Sequence, residues 1–323
     1  MNTMVEHSIE VSVGGKWMRV PALHVQGRNV ITVGRLVRMA VIHDEEWLET
    51  ELDDPEACVI ELKGREMHGL SADIFTFAQK LPATTPRYGY PMELDSIAAA
   101  RTANFKEWWE GLPQETRKNV RRSQKRGVVV TVKPFDDELI QGIAEVNNES
   151  PVRQRRPNKH YGKSLDLVRK DHESFADRSD FVCACVGSEL IGYLKLVYRS
   201  NVASILNINA KICHQDKKPS NALLAKAMEL CEAKGLSHLI YGKYFYGNKR
   251  NSPLLDFKIR HGFREILIPR FYVALTGWGA LCLKLKLHRG VTGVLPPRMI
   301  EMVLRARAKW YNIRTRWAGV AQW

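Results

Sequence analysis

Alternating apolar and polar positions between residues 180 and 276 predict one order of elements: hairpin, strand, loop, helix, strand, helix and a final strand pair. The hairpin turns at Gly187-Ser188, and Gly235 ends the longer helical pattern. The segments that carry this order are 181–187, 189–198, 202–210, 211–220, 221–235, 237–247, 254–263 and 264–276. Strands that alternate with helices in this way indicate an α/β domain.

The region upstream has a different pattern. Residues 7–48 contain short β-runs separated by glycine-containing turns, and an acidic helix is predicted over 53–68. Pro113 then opens a helix that ends at Gly127. The predicted units are a β-rich N-terminal region over 1–110, an α/β domain over 111–276 and a basic helical tail over 277–323.

The composition is that of a globular protein, with 45% hydrophobic and 26% charged residues among 323. There is no run of about 18 uncharged apolar residues, and the first residues lack the order of a secretory signal. We therefore expect a cytoplasmic protein. The six cysteines show no zinc spacing, and Cys183 and Cys185 alternate as buried thiols on one strand face do, so no metal is expected.

The net charge of +14 is unevenly distributed, because residues 1–100 carry −6 and the remainder carries +20. Such a balance favours an anionic partner: a nucleotide cofactor, tRNA or an acidic membrane surface. Segment 281–317 has nine Lys/Arg and one acid, which suits peripheral binding to an anionic membrane. The alternatives are solvated basic helix faces and a tail that packs against the core. The densest basic run is Arg117, Lys118, Arg121, Arg122, Lys125 and Arg126.

Four segments in this order resemble the GNAT superfamily of acyltransferases, and within it the Fem-like branch. They are RKNVRRSQKRG (117–127), RQRRPNKHYGKS (153–164), ELIGYLKLVY (189–198) and LLDFKIRHGF (254–263). The resemblance implies an α/β (α+β) fold with a mixed twisted sheet flanked by helices, in which the N-terminal region is a reduced second copy. It also implies an activated acyl donor and an amine acceptor, since known Fem-like members transfer amino acids from aminoacyl-tRNA to peptidoglycan precursors.

In CoA-dependent relatives a glycine-rich loop before the long helix binds the pyrophosphate through backbone N–H groups. Here the corresponding loop is Gln215-Asp216-Lys217-Lys218-Pro219-Ser220, which lacks glycine. Either lysine side chains replace the backbone donors, or the donor is not CoA. We therefore expect acyl-CoA or aminoacyl-tRNA as a co-substrate and no permanently bound cofactor. The candidate donor-binding residues are Lys211, His214, Gln215, Lys217, Lys218, Ser220, Tyr246 and Lys249.

Amide formation needs a neutral amine, an activated carbonyl and a group that stabilises the oxyanion. The resemblance places the acyl group beside the strand that ends near Tyr241. Tyr241 can protonate a leaving group, Lys243 and Lys258 can stabilise negative charge, and His160, which titrates near neutrality, can accept a proton. Each also has a structural alternative, as a core tyrosine, a solvated lysine or an exposed histidine. The candidate substrate contacts are Glu149, Arg153, Gln154 and Tyr161.

The sequence thus predicts an N-acyltransferase with an open slot between the strands near Asn207 and Leu239. The alternative is a non-catalytic protein of the same fold that binds RNA or an anionic membrane through charge, which the glycine-free loop also permits.

Overall fold

The computed structural model describes residues 6–13, 16–45, 51–63, 71–153, 156–246 and 252–290. Its helices are α1 (Pro55–Lys63), α2 (Phe105–Gly111), α3 (Gln114–Lys125), α4 (Asp137–Asn148), α5 (Leu165–Glu173), α6 (Pro219–Ala233), α7 (Pro253–Arg260) and α8 (Gly277–Lys284). Its strands are β1 (Glu6–Val13), β2 (Lys16–Val25), β3 (Arg28–Val33), β4 (Met39–Ile42), β5 (Ile74–Ala78), β6 (Met92–Arg101), β7 (Val129–Lys133), β8 (Val152–Arg153), β9 (Arg156–Pro157), β10 (Ser179–Val186), β11 (Glu189–Arg199), β12 (Val202–Ala210), β13 (His238–Lys243) and β14 (Arg264–Ala274).

Twelve of the described strands form one mixed sheet, in the order β1-β2-β3-β4-β5-β14-β6-β13-β12-β11-β10-β7. Two pairs in it are parallel: β4 with β5, and β12 with β13. Each parallel pair is connected through a helix, α1 in the first case and α6 in the second, as parallel crossovers require. The mixed sheet flanked by helices confirms the predicted fold class.

The two halves of the sheet mirror each other around the central antiparallel pair of β14 and β6. On one side, the antiparallel strands β1 to β4 lead to the parallel pair β4–β5, and β5 then pairs with β14 from the second half of the sequence. On the other side, the antiparallel strands β7, β10, β11 and β12 lead to the parallel pair β12–β13, and β13 then pairs with β6 from the first half. This is the order expected if the β-rich N-terminal region is a reduced copy of the second unit. The boundaries at residues 110 and 276 stay a prediction, and tail residues 291–323 lie outside the described residues.

Helices cover the sheet where their apolar faces fit it. Helix α6 buries Leu223, Leu224 and Met228 against β11 to β13, in a cluster that also contains parts of α2 and α3. Helix α4 begins at Asp136, whose side chain accepts the Leu139 N–H, and packs with α5 on the opposite face of β10 and β11. Helix α1 packs on β4, β5 and β14.

The β1–β2 hairpin, at one edge of the sheet, contacts helix α5 of the other half. Trp17 Nε1 donates to Asp171 Oδ1 at 3.0 Å, and Lys170 Nζ donates to Glu10 Oε2 at 2.7 Å. The Lys170 ammonium also lies 4.9 Å from the Trp17 ring centroid. These contacts join the two halves at a second place, far from the central pair of strands.

Two details differ from the predictions. The final strand pair is one strand, β14, because Pro269 stands opposite Leu94 without interrupting the ladder, and its carbonyl accepts the Gln79 N–H at 2.9 Å. Helix α1 begins at Pro55, two residues after the predicted start at residue 53, and residues 64–70 are not described. Among the described helices, none has the length and apolar character needed to cross a membrane.

Candidate functional site

The parallel strands β12 and β13 diverge in the second half of the sheet. Their ladder covers Val202–Ser204 and His238–Ile240, and the described continuation of both strands carries no further rungs. Strand β12 runs on to Ala210 and is held there by β11, whereas β13 stays paired with β6. The ladder therefore ends after Ser204 and Ile240, and the predicted slot near Asn207 and Leu239 stays a prediction.

Tyr241 is the first residue of β13 beyond this ladder, and it lies beside a buried lysine. Lys258 of α7 is fully buried, and its Nζ lies 4.8 Å from the Tyr241 ring centroid and 4.7 Å from that of Tyr246. The same Nζ donates to the Lys243 carbonyl at 2.6 Å. Four sequence-predicted residues are thus brought together: Tyr241, Lys243, Tyr246 and Lys258.

Burial changes the acidity of this cluster. Because Lys258 is removed from water, its pKa falls to about 8. Burial raises the pKa of Tyr241 well above its ordinary value, and the neighbouring Tyr246 adds to the shift. Near neutral pH, Lys258 is therefore a cation in apolar surroundings, stabilised by two aromatic faces and one carbonyl, and Tyr241 keeps its proton.

Helix α7 positions Lys258 through local signals in the sequence. The Ser252 side chain accepts the Leu255 N–H at 3.2 Å, and Pro253 occupies the first turn. Gly262 follows the helix with φ +81°, and a Cβ there would lie 2.9 Å from Trp108 Nε1. A glycine is therefore needed for the chain to turn from α7 into β14.

The glycine-free loop before α6 forms a short 3₁₀ turn over Gln215–Lys217. The loop's own carbonyls accept three of its N–H groups: Gln215 to Ile212, Lys217 to His214, and Lys218 to Gln215. Pro219 has no N–H, and Lys218 adopts the left-handed conformation at φ +55°. Much of the backbone that would bind a pyrophosphate is thus already occupied.

Side chains of the loop converge on Glu189. Its carboxylate accepts from Lys211 Nζ at 2.7 Å and lies 3.2 Å from His214 Nε2, and Lys217 Nζ lies 3.0 Å from His214 Nδ1. The pKa of Glu189 is lowered, chiefly by the hydrogen bond from Lys211. Gln215 is exposed and Ser220 half-buried on the same loop.

Glu149 and Arg153 shape the entrance to this loop. The Glu149 carboxylate accepts the N–H groups of Ile212 and Cys213, at 2.5 and 2.8 Å. Burial alone would raise the pKa of Glu149, but these N–H donors and Arg153 lower it below its ordinary value. Arg153 donates to the Ala210 carbonyl at 2.9 Å and to the Val146 carbonyl at 2.8 Å. Both side chains hold the end of β12, and contact with substrate stays a prediction.

His160 lies apart from the Tyr241–Lys258 cluster. Burial, with a smaller contribution from Lys159 and Lys163, lowers the pKa of its ring to about 4. The prediction that His160 titrates near neutrality is therefore wrong, because an imidazole loses hydration on burial and stays neutral. Nearby Tyr161 is exposed. Gln154 and Lys249 lie outside the described residues.

A cleft of about 520 Å³ lies on the sheet face opposite α1, over β4, β5, β14 and β6. At its centre, Arg270 donates to Asp95 at 2.6 Å and to Glu45 at 2.9 Å. Lys243 stands on its rim. Because the Lys243 carbonyl also accepts from Lys258, this one residue connects the cleft with the Tyr241–Lys258 cluster. Sequence reasoning missed this cleft, because its walls come from strands of both halves.

Two solved structures show which fold this is. FemX aligns with 82% of this chain and 88% of its own length, at 10% identity and a TM-score of 0.55. The chain has a Fem-like GNAT fold. A protein from Agrobacterium fabrum, described as a lysylphosphatidylglycerol synthetase, aligns through its C-terminal domain at 14% identity and a TM-score of 0.52, over 86% of this chain and 87% of that domain. No protein-family model and no curated protein matches the sequence.

Proposed function

We propose that the protein is an N-acyltransferase that moves an acyl or aminoacyl group from an activated donor to an amine. The observation that carries the proposal is the opening between β12 and β13 beside the buried Lys258 and its two tyrosines. An acyl carbonyl in that opening would lie next to a cation whose charge is poorly screened. Such a cation stabilises the oxyanion that forms when an amine attacks the carbonyl.

The cleft around Arg270, on the sheet face opposite α1, suits the amine acceptor. Carboxylates of Glu45 and Asp95 and the basic groups of Lys243 and Arg270 line it, so it offers partners to an amine and to an anionic group. Lys243 lines the cleft, and its carbonyl accepts from the Lys258 ammonium, so an acceptor in the cleft would lie close to Lys258. In this proposal the acceptor amine reaches the carbonyl from the cleft, and Tyr241 donates a proton to the leaving oxygen or sulfur.

For the donor, the structure favours aminoacyl-tRNA over acyl-CoA. The backbone N–H groups of Lys217 and Lys218 are used within the loop, so they are not available to a pyrophosphate. Beside the loop, helix α3 presents an exposed basic face, and Arg126 at its end pairs with Asp216 of the loop. A long polyanion can contact this whole face, whereas the phosphates of CoA reach only the loop.

The test compares binding of charged tRNA and of CoA to the purified protein over a series of salt concentrations. Replacing Lys118 and Arg122 by serine should weaken tRNA binding and reduce the slope of log K against log salt by about 1 per lost phosphate contact. A matched control with Lys63 and Arg87 replaced by serine, on the other half, should leave the slope unchanged. An equal loss in both variants would contradict the assignment of this face.

Transfer is followed as loss of the labelled acyl group from the donor in the presence of amines. Lys258→Met should slow it by about 100-fold, the effect expected when an oxyanion-stabilising group is removed. Binding of charged tRNA without any transfer by the wild type would instead favour the non-catalytic alternative. Binding of neither charged tRNA nor CoA would reject the acyltransferase proposal.

A further inference from the structure

Two segments that are distant in sequence form the donor side of the proposed site: the start of α6 and helix α7. A single pair of side chains joins them. Asn221, in the first turn of α6, places its Nδ2 2.9 Å from Nε2 of His261, the residue that ends α7. Nothing in the sequence patterns distinguishes either residue.

The hydrogen bonds of His261 fix its tautomer. Its Nδ1 lies 2.7 Å from the Phe257 carbonyl, and a carbonyl only accepts, so Nδ1 carries the hydrogen. Nε2 then has a free lone pair and accepts from the Asn221 amide. Both ring nitrogens are therefore satisfied in one arrangement, and an acidic or apolar residue at 221 would leave Nε2 without its donor.

The surroundings hold this ring rigidly. His261 is 2% exposed, and its ring centroid lies 4.1 Å from that of Phe257. Its carbonyl accepts from Trp108 Nε1 at 3.0 Å, which anchors the end of α7 to helix α2. Burial lowers the pKa of His261 to about 4, so the ring is neutral near neutral pH and keeps its acceptor nitrogen.

His261 is also bonded to the residue that carries the proposed chemistry. Its backbone N–H lies 3.0 Å from the Lys258 carbonyl, and the Lys258 ammonium reaches the Lys243 carbonyl three residues past the β12–β13 ladder. Asn221 follows Lys218 and Pro219 of the donor loop. The Asn221–His261 bond therefore sets how far Lys258 lies from that loop.

We propose that His261 and Asn221 are positioning residues that hold the donor loop and Lys258 in one fixed arrangement. This inference rests on the proposed function for its chemical meaning. Neither side chain contacts the reacting atoms in this account. Their effect passes through α6 and α7, so losing the bond should separate the motions of the two helices.

Hydrogen exchange measured by mass spectrometry tests the coupling without any substrate. In Asn221→Leu, the change lies on α6, yet amides of α7 over 254–260 should exchange about tenfold faster, the effect of losing one part-buried hydrogen bond. In His261→Leu, the amides over 214–222 should likewise exchange about tenfold faster. His261→Gln keeps an acceptor oxygen and should restore slow exchange. Unchanged exchange of α7 in Asn221→Leu overturns the inference, and this variant suffices if His261→Leu does not fold.

The matched control is Leu255→Ala, which loses buried apolar contact on α7 and leaves the bond intact. It should speed exchange within α7 and leave 214–222 as in the wild type. Faster exchange of 214–222 in this control would mean that general loosening, rather than the bond, couples the helices, and would overturn the inference.

Donor measurements separate this inference from the proposed function. With charged tRNA and with CoA as probes, Asn221→Leu should weaken binding about tenfold, whereas Leu255→Ala, which leaves 214–222 as in the wild type, should bind as the wild type does. If the wild type binds neither probe, the proposed function fails, and the exchange data alone decide whether the bond couples the helices. If the wild type binds and Asn221→Leu binds and reacts equally well, the positioning role is refuted.

Discussion

The pKa of Lys258 provides a direct test of its environment through folding stability. Burial lowers it to about 8 from an ordinary 10.5, so between these pH values the unfolded chain holds a proton that the folded chain has released. Stability therefore rises with pH across this window and is constant below it. Replacing Lys258 by methionine, which has a similar shape and no charge, removes this dependence.

The magnitude follows from the two pKa values. Keeping the ammonium in its buried site at pH 7 costs about 3 kcal/mol relative to an exposed lysine. By pH 10 most of that penalty is gone, so the wild type should gain about 2.5 kcal/mol relative to Lys258→Met between pH 7 and pH 10. The methionine variant also loses the hydrogen bond from Lys258 to the Lys243 carbonyl. This loss lowers the variant's free energy of unfolding by about 1 to 3 kcal/mol at every pH.

The assay is urea unfolding of both proteins at pH 7 and pH 10, with the difference between them taken at each pH. Taking the difference cancels other titrating groups, including Lys195, which is also fully buried with a pKa of about 8. An exposed-lysine control, Lys286→Met, should show no such change. A wild-type minus variant difference that is equal at both pH values would refute the view that Lys258 is buried as a cation.

Three other changes test the fold around the site. Arg270→Met removes the guanidinium partner of the buried Glu45 carboxylate and of the half-buried Asp95 carboxylate and should destabilise the protein by about 3 to 5 kcal/mol in chemical denaturation; a loss below about 1 kcal/mol would show that the ion pairs are solvated. Lys218→Gly relieves the left-handed backbone at φ +55° and should raise stability by about 1 kcal/mol in thermal unfolding, so a lower midpoint would contradict that backbone conformation. Trp17→Phe removes the hydrogen bond to Asp171 and should speed hydrogen exchange in β2 several-fold, whereas Met18→Leu, at an exposed neighbour, should not; equal rates in both would mean that the hairpin is held by other contacts.

Local signals were enough to predict much of the second half. The Gly187-Ser188 turn predicted the β10–β11 hairpin, and the short apolar pattern over 254–263, with its glycine at 262, predicted helix α7. These features depend on neighbours a few residues away, where turn and cap chemistry is specific. The resemblance then added the mixed twisted sheet flanked by helices, which alternation alone does not fix.

The rest depends on long-range pairing that has no local signature. Strand β14 lies between β5 and β6, so the ion pair of Arg270 and Glu45 in the cleft joins residues 225 positions apart. His160 lies near basic residues in sequence, where an exposed ring is the alternative, and no pattern marks His261, yet burial lowers the pKa of both rings. Burial of this kind is a property of the packed chain rather than of any segment.

The central claim is that the opening between β12 and β13, beside Lys258, receives an activated acyl group. The most direct measurement is a crystal structure of the protein with a stable aminoacyl-nucleotide analogue. Density for the acyl group within hydrogen-bond reach of the Lys258 ammonium, with the nucleotide towards the loop at 211–220, is the predicted result. An analogue bound elsewhere, with the strands beyond Ser204 and Ile240 closed against each other, would contradict the account.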